Sequence, residues 1–309
     1  MKTAFLFPGQ GAQYPGMVMD LFDASSEVRD LFALAHETTG VDVQELLAHG
    51  TEEQLKETVN TQISVTLANL SAAVVLRQRG VSAQGVAGFS LGEYAALAWA
   101  GVLPFEQIFP LVRQRGEFMA QAARALDRSA GEPGMAAVLG LSPERVDAVL
   151  TQENIPNLFG ANYNSPVQVV ISGTAEALKA GESVLKAAGA RRVITLKVSG
   201  PFHSPLLKSA AESLEQAVSK LSFADPQLEL YSNVTGIIVR SGAEAKALAV
   251  RQVTSPVLWT AEEAALVAAG YTRVIETGPG TVLAGLWKAQ FPDADCLPAG
   301  KLEQITQIG

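Results

Sequence analysis

Cysteine, histidine and excess positive charge are all scarce in this chain, and each scarcity removes a class of function. The 309 residues include one cysteine, Cys296, which excludes an internal disulfide framework and a cysteine-built zinc site. Three histidines, His36, His49 and His203, are too few for a histidine cage, so no metal site is expected. Lysine and arginine number 23 against 31 aspartates and glutamates, and a net charge of −8 offers no concentrated basic surface for a nucleic-acid partner. Clean apolar runs of membrane-spanning length are also missing. The uncharged stretches 58–76 and 154–175 are loaded with Asn, Gln, Thr or Ser, which a bilayer disfavours, so no membrane partner is expected. The stretch 1–7 is cut by Pro8-Gly9 and is too short for a signal peptide, which leaves a cytoplasmic location as the expectation. Aromatics make up only 6%, and alanine takes their place, as in helices packed closely on a sheet.

What is present suits a large folded unit. Hydrophobic residues reach 48% and charged ones 17%, enough for a core and inconsistent with global disorder. Apolar runs 3–7 and 86–89 read as short buried strands, each ending in a glycine-bearing turn. Helical spacing runs through 21–40, 52–59, 63–79, 91–100 and 104–124, with Gly80 as a stop and Pro104 as a start. After 129–134 the texture changes to strand 135–141, helix 143–152, strand 159–163, strand 168–173, helix 175–188 and strand 192–198. That βαββαβ order is the ferredoxin-like pattern. Beyond Pro201 come helix 204–221, strand 228–232, helices 243–252 and 261–269, strand 273–276 and a helix from Thr281. The expected fold class is α/β: an α/β-hydrolase-like catalytic domain with a mainly parallel sheet (1–131 and 201–309), interrupted by a small inserted ferredoxin-like subdomain (132–200).

The chemistry-bearing residues are few. Gly88-Phe89-Ser90-Leu91-Gly92 is a G-x-S-x-G pentapeptide between a buried strand and a helix. Its glycines permit a sharp turn that lifts the Ser90 hydroxyl to a helix start, where the Leu91 N–H and the helix dipole face a developing oxyanion. A purely structural turn is the competing reading. A serine nucleophile needs a base. His36 and His49 lie late in helices, where an ordinary surface role suffices. His203, in Gly200-Pro201-Phe202-His203-Ser204-Pro205, is bracketed by prolines that fix its position, which makes it the plausible partner for Ser90. Arg115 adjoins Gly116, a residue unfavourable in a helix interior unless something approaches closely. Arg113 suits a solvated helix face. Phe7-Pro8-Gly9-Gln10-Gly11 is a turn with free N–H groups, but it lacks the Lys-Ser/Thr of a phosphate loop.

In order along the chain, Phe7-Pro8-Gly9-Gln10-Gly11-Ala12-Gln13, Gly88-Phe89-Ser90-Leu91-Gly92-Glu93-Tyr94, Arg113-Gln114-Arg115-Gly116, Asn162-Tyr163-Asn164-Ser165-Pro166, Phe202-His203-Ser204, Gln252 with Ser255-Pro256-Val257, and Glu276-Thr277-Gly278-Pro279-Gly280 resemble the malonyl-CoA:acyl carrier protein transacylase family over essentially the whole length. The resemblance implies that Ser90 takes the malonyl group as an ester and that His203 is base and then acid. It implies oxyanion N–H groups from Gln10 and Leu91, a backbone carbonyl near Gln252 orienting the histidine, and Arg115 binding the malonyl carboxylate. Phe202 resembles the residue that accepts malonyl and crowds out an α-methyl group. Phe89 departs from the family's usual histidine, with an effect on acyl preference. The implied partners are malonyl-CoA and an acyl carrier protein, with no cofactor besides the CoA thioester substrate and a monomer as the family precedent.

Two other readings share some of these residues. A serine hydrolase or thioesterase shares the pentapeptide, but that fold usually puts its histidine near the chain end. A degenerate carrier-binding scaffold would keep the surface and lose acyl-enzyme formation. Carrier proteins are usually acidic, so docking calls for a local basic patch, for which Lys179, Lys186, Arg191, Arg192 and Lys197 are the candidates.

Overall fold

The structure is a computed structural model that describes residues 1–308. Its ten strands are β1 (Thr3–Phe7), β2 (Gly85–Gly88), β3 (Gly134–Leu139), β4 (Leu158–Ser165), β5 (Gln168–Gly173), β6 (Arg192–Thr195), β7 (Glu229–Tyr231), β8 (Ile238–Val239), β9 (Arg273–Glu276) and β10 (Cys296–Pro298). Six of them form one sheet in the order β10-β9-β1-β2-β7-β8, parallel except for the terminal pair β7-β8. β1 and β2 are buried along their whole length, as expected of central parallel strands with helices on both faces. The fold is α/β, with a mixed, mainly parallel sheet and a separate antiparallel one.

Register decides where the loops go. Phe7 lies opposite Gly88 and Leu6 opposite Glu276, so β1, β2 and β9 end level with one another. The turns that follow them, carrying Gln10, Ser90 and Gly278, therefore emerge at one carboxyl edge, where open α/β sheets usually bind ligands. Close approach there requires glycine. A Cβ on Gly92 would lie 1.9 Å from the Phe7 carbonyl oxygen, and one on Gly9 would lie 2.3 Å from that of Phe89.

Helix Thr58–Gln78 is apolar and long enough to cross a bilayer by length and composition, yet 89% of its most apolar window is buried inside the protein. Its polar residues do interior work: Asn69 donates to the Pro8 carbonyl at 2.9 Å. This helix packs on helix Phe105–Arg124 at Gly116, the helix-interior glycine whose presence in the sequence suggested a close approach. A Cβ on Gly116 would lie 2.9 Å from Gln62 Cγ and 3.1 Å from Val59 Cα.

The antiparallel sheet has the order β4-β5-β3-β6, with helices Pro143–Glu153 and Ala175–Ala187 over it and its own apolar cluster including Val138, Val146, Ile171 and Leu185. It is tied to the rest by paired backbone bonds, Tyr163 N–H to Val257 O at 2.9 Å and Val257 N–H to Ala161 O at 2.8 Å.

Several boundaries differ from sequence expectation. The helix expected over 21–40 is two, Met19–Ala24 and Ser26–Thr39, because Ser25 turns extended and its side chain caps the second by accepting from Val28 N–H. The helix expected from Ser204 begins as a 3-10 turn at Pro205–Leu207 and becomes α-helical at Lys208. β6 stops at Thr195 rather than Val198. The edge strands β8 and β10, two and three residues long, and the short helix Leu302–Ile308 were not anticipated, since such brief elements carry almost no periodic signal.

Candidate active site

Ser90 sits between β2 and helix Gly92–Trp99 with φ +50°, the left-handed region that side-chain-bearing residues seldom occupy. A Cβ on Gly88 would strike the Gly92 backbone at 2.1 Å, which is why the turn is flanked by glycine. Two buried amides hold the strained residue. Asn233 Oδ1 accepts from the Ser90 N–H at 2.7 Å, and Gln252 Nε2 donates to the Ser90 carbonyl at 2.9 Å.

Its hydroxyl is 2.7 Å from His203 Nε2. His203 is also left-handed, φ +55°, and only 4% exposed. The Nδ1 side faces two carbonyls, Gln252 O at 3.0 Å and Ser255 O at 3.2 Å. Carbonyls only accept, so Nδ1 carries the proton and Nε2 is left to accept from the Ser90 hydroxyl. Burial, reinforced by the positive charge of Arg115, pulls the His203 pKa down to about 4, against the pull of the two carbonyls. At neutral pH the imidazole is a free base.

Arg115, by contrast with the half-exposed Arg113 that pairs with Glu117, is 1% exposed. Its guanidinium donates to Gln62 Oε1 at 2.7 Å and Gln252 Oε1 at 2.9 Å, and lies 5.0 Å from the Tyr94 ring centre. Both hydrogen-bond partners are neutral amides, and Nε has no acceptor among the described residues. Burial pushes its pKa down, opposed by Tyr94 and Glu93. A buried cation without a carboxylate partner is an open electrostatic position.

These groups share one cavity of about 220 Å³, lined by Gln10, Phe89, Ser90, Arg115, Phe202 and His203 from one side and by Met135, Ala137 and Val170 from the antiparallel sheet. Phe89 packs edge-on against Trp259, ring centres 5.5 Å apart. The Gln10 and Leu91 N–H groups donate to no acceptor among the described residues. Of the residues singled out from sequence for the site, Gln10, Phe89, Ser90, Arg115, Phe202 and His203 line this cavity. Gln252 bonds to three of them (Ser90, Arg115 and His203) from behind it, and Leu91 follows Ser90 in the turn, while His36 and His49 are exposed elsewhere.

Sequence reasoning missed the groups beneath the site. Glu93 is buried, its pKa pushed up to about 7 by burial against the hydrogen bond it accepts from Gln252 Nε2. Its signal was available: it is the lone charge in the otherwise apolar helix Gly92–Trp99. Gln62, Asn233 and Glu262 gave no comparable signal, and Glu262-Glu263 reads in sequence as an ordinary solvated helix face.

The acyl transferase domain family matches residues 4–302. The chain is 39% identical over 291 residues to the malonyl CoA-acyl carrier protein transacylase of Bacillus subtilis, covering 93% of this chain and 90% of that one. It is 37% identical to the Escherichia coli K12 protein of the same name, with 93% and 92% covered. Among solved structures, an acyl carrier protein S-malonyltransferase from Vibrio cholerae superposes with a TM-score of 0.95 at 34% identity over the full length of both chains. A malonyl-transacylase in complex with its type II PKS acyl-carrier protein superposes with a TM-score of 0.93 at 34% identity, covering 99% and 98%. This chain belongs to the acyl transferase domain family, among the malonyl CoA-acyl carrier protein transacylases.

Proposed function

We propose that the protein transfers a malonyl group from malonyl-CoA to the phosphopantetheine thiol of an acyl carrier protein, for fatty acid or polyketide synthesis. The observation that carries this reading is the 2.7 Å contact between Ser90 Oγ and His203 Nε2, opening on a cavity shared with a buried arginine that lacks a carboxylate partner. The names of the relatives, and the carrier-bound structure of one neighbour, support it.

In this reading His203 Nε2 takes the Ser90 proton as Oγ attacks the thioester carbonyl. The Gln10 and Leu91 N–H groups stabilise the tetrahedral oxyanion, and the Gln252 carbonyl holds the imidazole in the required tautomer. The C–S bond breaks, and the proton on Nε2 passes to the departing CoA sulfur. The carrier thiol then gives its proton to His203 Nε2 and attacks the ester; the C–Oγ bond breaks, and Nε2 returns the proton to Ser90 Oγ, which restores Ser90. One thioester replaces another, so the exchange is near thermoneutral and the reading calls for no cofactor besides the CoA substrate. Arg115 forks onto the malonyl carboxylate. Phe202 and Phe89 wall the acyl group.

The same reading treats 1–131 and 201–309 as an α/β-hydrolase-like catalytic domain and 132–200 as an inserted ferredoxin-like subdomain, for which the all-antiparallel order β4-β5-β3-β6 speaks. A cytoplasmic monomer completes it. The test is intact-mass measurement after incubation with a panel of acyl-CoAs. A malonyl adduct on the wild-type protein, absent from Ser90→Ala and discharged by a holo carrier protein, is the expected result. An undiminished adduct on Ser90→Ala, or none on the wild type, overturns it.

A further inference from the structure

We propose that Asn233 is a positioning residue that sets the geometry of the nucleophile turn and is itself set by Glu262, an inference that rests on reading Ser90 as the nucleophile. A left-handed serine persists only where its surroundings over-determine it. One side chain does most of this. Asn233 Oδ1 accepts from the Ser90 N–H at 2.7 Å while Asn233 Nδ2 donates to the Gly88 carbonyl at 2.7 Å, so a single planar amide spans both ends of the turn. The same Nδ2 also donates to Glu262 Oε1 at 2.7 Å.

The chemistry at 233 is specific. An N–H on one side demands an acceptor and a carbonyl on the other demands a donor, a combination that asparagine supplies and aspartate does not. Both Asn233 and Glu262 are fully buried. Their elements are joined as well: the Leu258 N–H donates to the Asn233 carbonyl at 2.8 Å, one residue before helix Trp259–Ala268, which carries Glu262. Neither residue lines the cavity, so neither touches a reacting atom, and any effect on the reaction passes through Ser90.

The experiment is single-turnover acylation by malonyl-CoA. The amplitude counts folded molecules and the rate constant reports geometry, so loss of fold lowers the first and misplacement lowers the second. Asn233→Asp keeps the acceptor for Ser90 and loses the donors. Its rate constant is expected to fall about 100-fold, the scale of a small misplacement of a reacting group, with the dissociation constant for malonyl-CoA unchanged. Glu262→Ala is expected to slow acylation less, and Glu262→Gln, which keeps an acceptor for Asn233, to restore it. An unchanged rate constant in Asn233→Asp, or a loss expressed only as weaker binding, overturns the proposal. Should Asn233→Asp not fold, the Glu262 pair decides: slowed in Ala and restored in Gln supports the proposal, while wild-type or equally slowed rates in both overturn it. A wild-type protein that forms no Ser90 adduct defeats the functional reading instead, so the two failures are distinct.

Discussion

The two sheets treat charge in opposite ways. Around the six-stranded sheet lie the buried ionisable groups Glu93, Arg115, His203, Glu262, Glu263 and Glu276. Within the antiparallel segment the buried polar side chains are Asn162, Asn164, Ser165 and Ser172, all neutral. Surface charge divides along the same line. Residues 132–200 carry six acidic and six basic side chains, so the net charge of −8 resides in the rest of the chain. Burying a charge is expensive and persists where the charge is held for a purpose or fully partnered. Around the larger sheet Arg115 keeps its charge in a dry site, while burial holds His203 neutral and pushes the Glu93, Glu262 and Glu263 carboxyls toward their neutral forms. The smaller one contributes the apolar wall of Met135, Ala137 and Val170. One part is built for chemistry and the other for fit.

The most forceful way to break this comparison is at Arg115. If its buried charge is held open for a substrate carboxylate, Arg115→Ala lowers malonyl transfer by about 100-fold or more, as when a site built for a charged group loses its partner. Acetyl transfer, which brings no carboxylate to leave unpaired, falls far less or rises. The measurement is the ratio of kcat/KM for malonyl-CoA over acetyl-CoA. A ratio unchanged by the substitution would make Arg115 a structural cation, and the larger sheet would lose its claim to specificity.

How much of this was legible beforehand follows the same division. The βαββαβ element order was readable because each element of the antiparallel segment is long enough to carry a period and is bounded by turn residues. Gly116 pointed correctly to close approach and the glycines at 88 and 92 to a sharp turn, since a residue that weakens regular structure usually occupies a place where nothing larger fits. Ser90, His203 and Arg115 stood out through turn chemistry, proline bracketing and the neighbouring glycine. The supporting shell did not. Gln62 lies in a helix whose polar residues argue only against a bilayer. Asn233 meets the nucleophile turn across more than 140 residues of chain, and Glu262 reaches it only through Asn233, a pairing that no local pattern encodes. Short edge strands were invisible for a related reason: β8 and β10 exist because a neighbour offers hydrogen bonds.

A second prediction sharpens the comparison by measuring what the buried charges do to one another. His203 falls to a pKa of about 4 through burial first and the Arg115 charge second. A lowered histidine pKa leaves the base unprotonated above that value, and activity is lost as pH falls through it. Reaction of Ser90 with a neutral fluorophosphonate, which brings no carboxylate to quench Arg115, is therefore expected to stay level from pH 7 down to about 5 and to halve near 4. Glu93, with its pKa near 7, becomes neutral over the same descent and leaves the Arg115 field less opposed, which acts in the same direction. In Arg115→Gln the half-point moves upward toward the ordinary histidine value of about 6.5. A half-point already near 6.5 in the wild type would show that the site is wetter than its geometry implies, and the contrast in desolvation between the two sheets would shrink.

The smallest expected effect concerns the neutral segment. Lys179, Lys186, Arg191, Arg192 and Lys197 are all exposed there, and Lys186 is already paired with Glu182. Arg191 and Arg192 carry no comparable ion pair among the described residues. Arg192 lies on β6, the edge of the antiparallel sheet. An acidic carrier approaching a protein of net charge −8 is repelled overall, so a segment of balanced charge with two free guanidiniums on one edge is the favourable landing place. Exposed pairs contribute about 0.2–1 kcal/mol each. Reversing both arginines to glutamate is therefore expected to raise KM for the carrier by up to about thirtyfold, with the rise shrinking at high salt. Ser90 acylation by malonyl-CoA, which needs no carrier, stays at the wild-type rate. An unchanged carrier KM at low salt would move the landing place off this edge and leave the smaller sheet with the cavity wall as its only contribution.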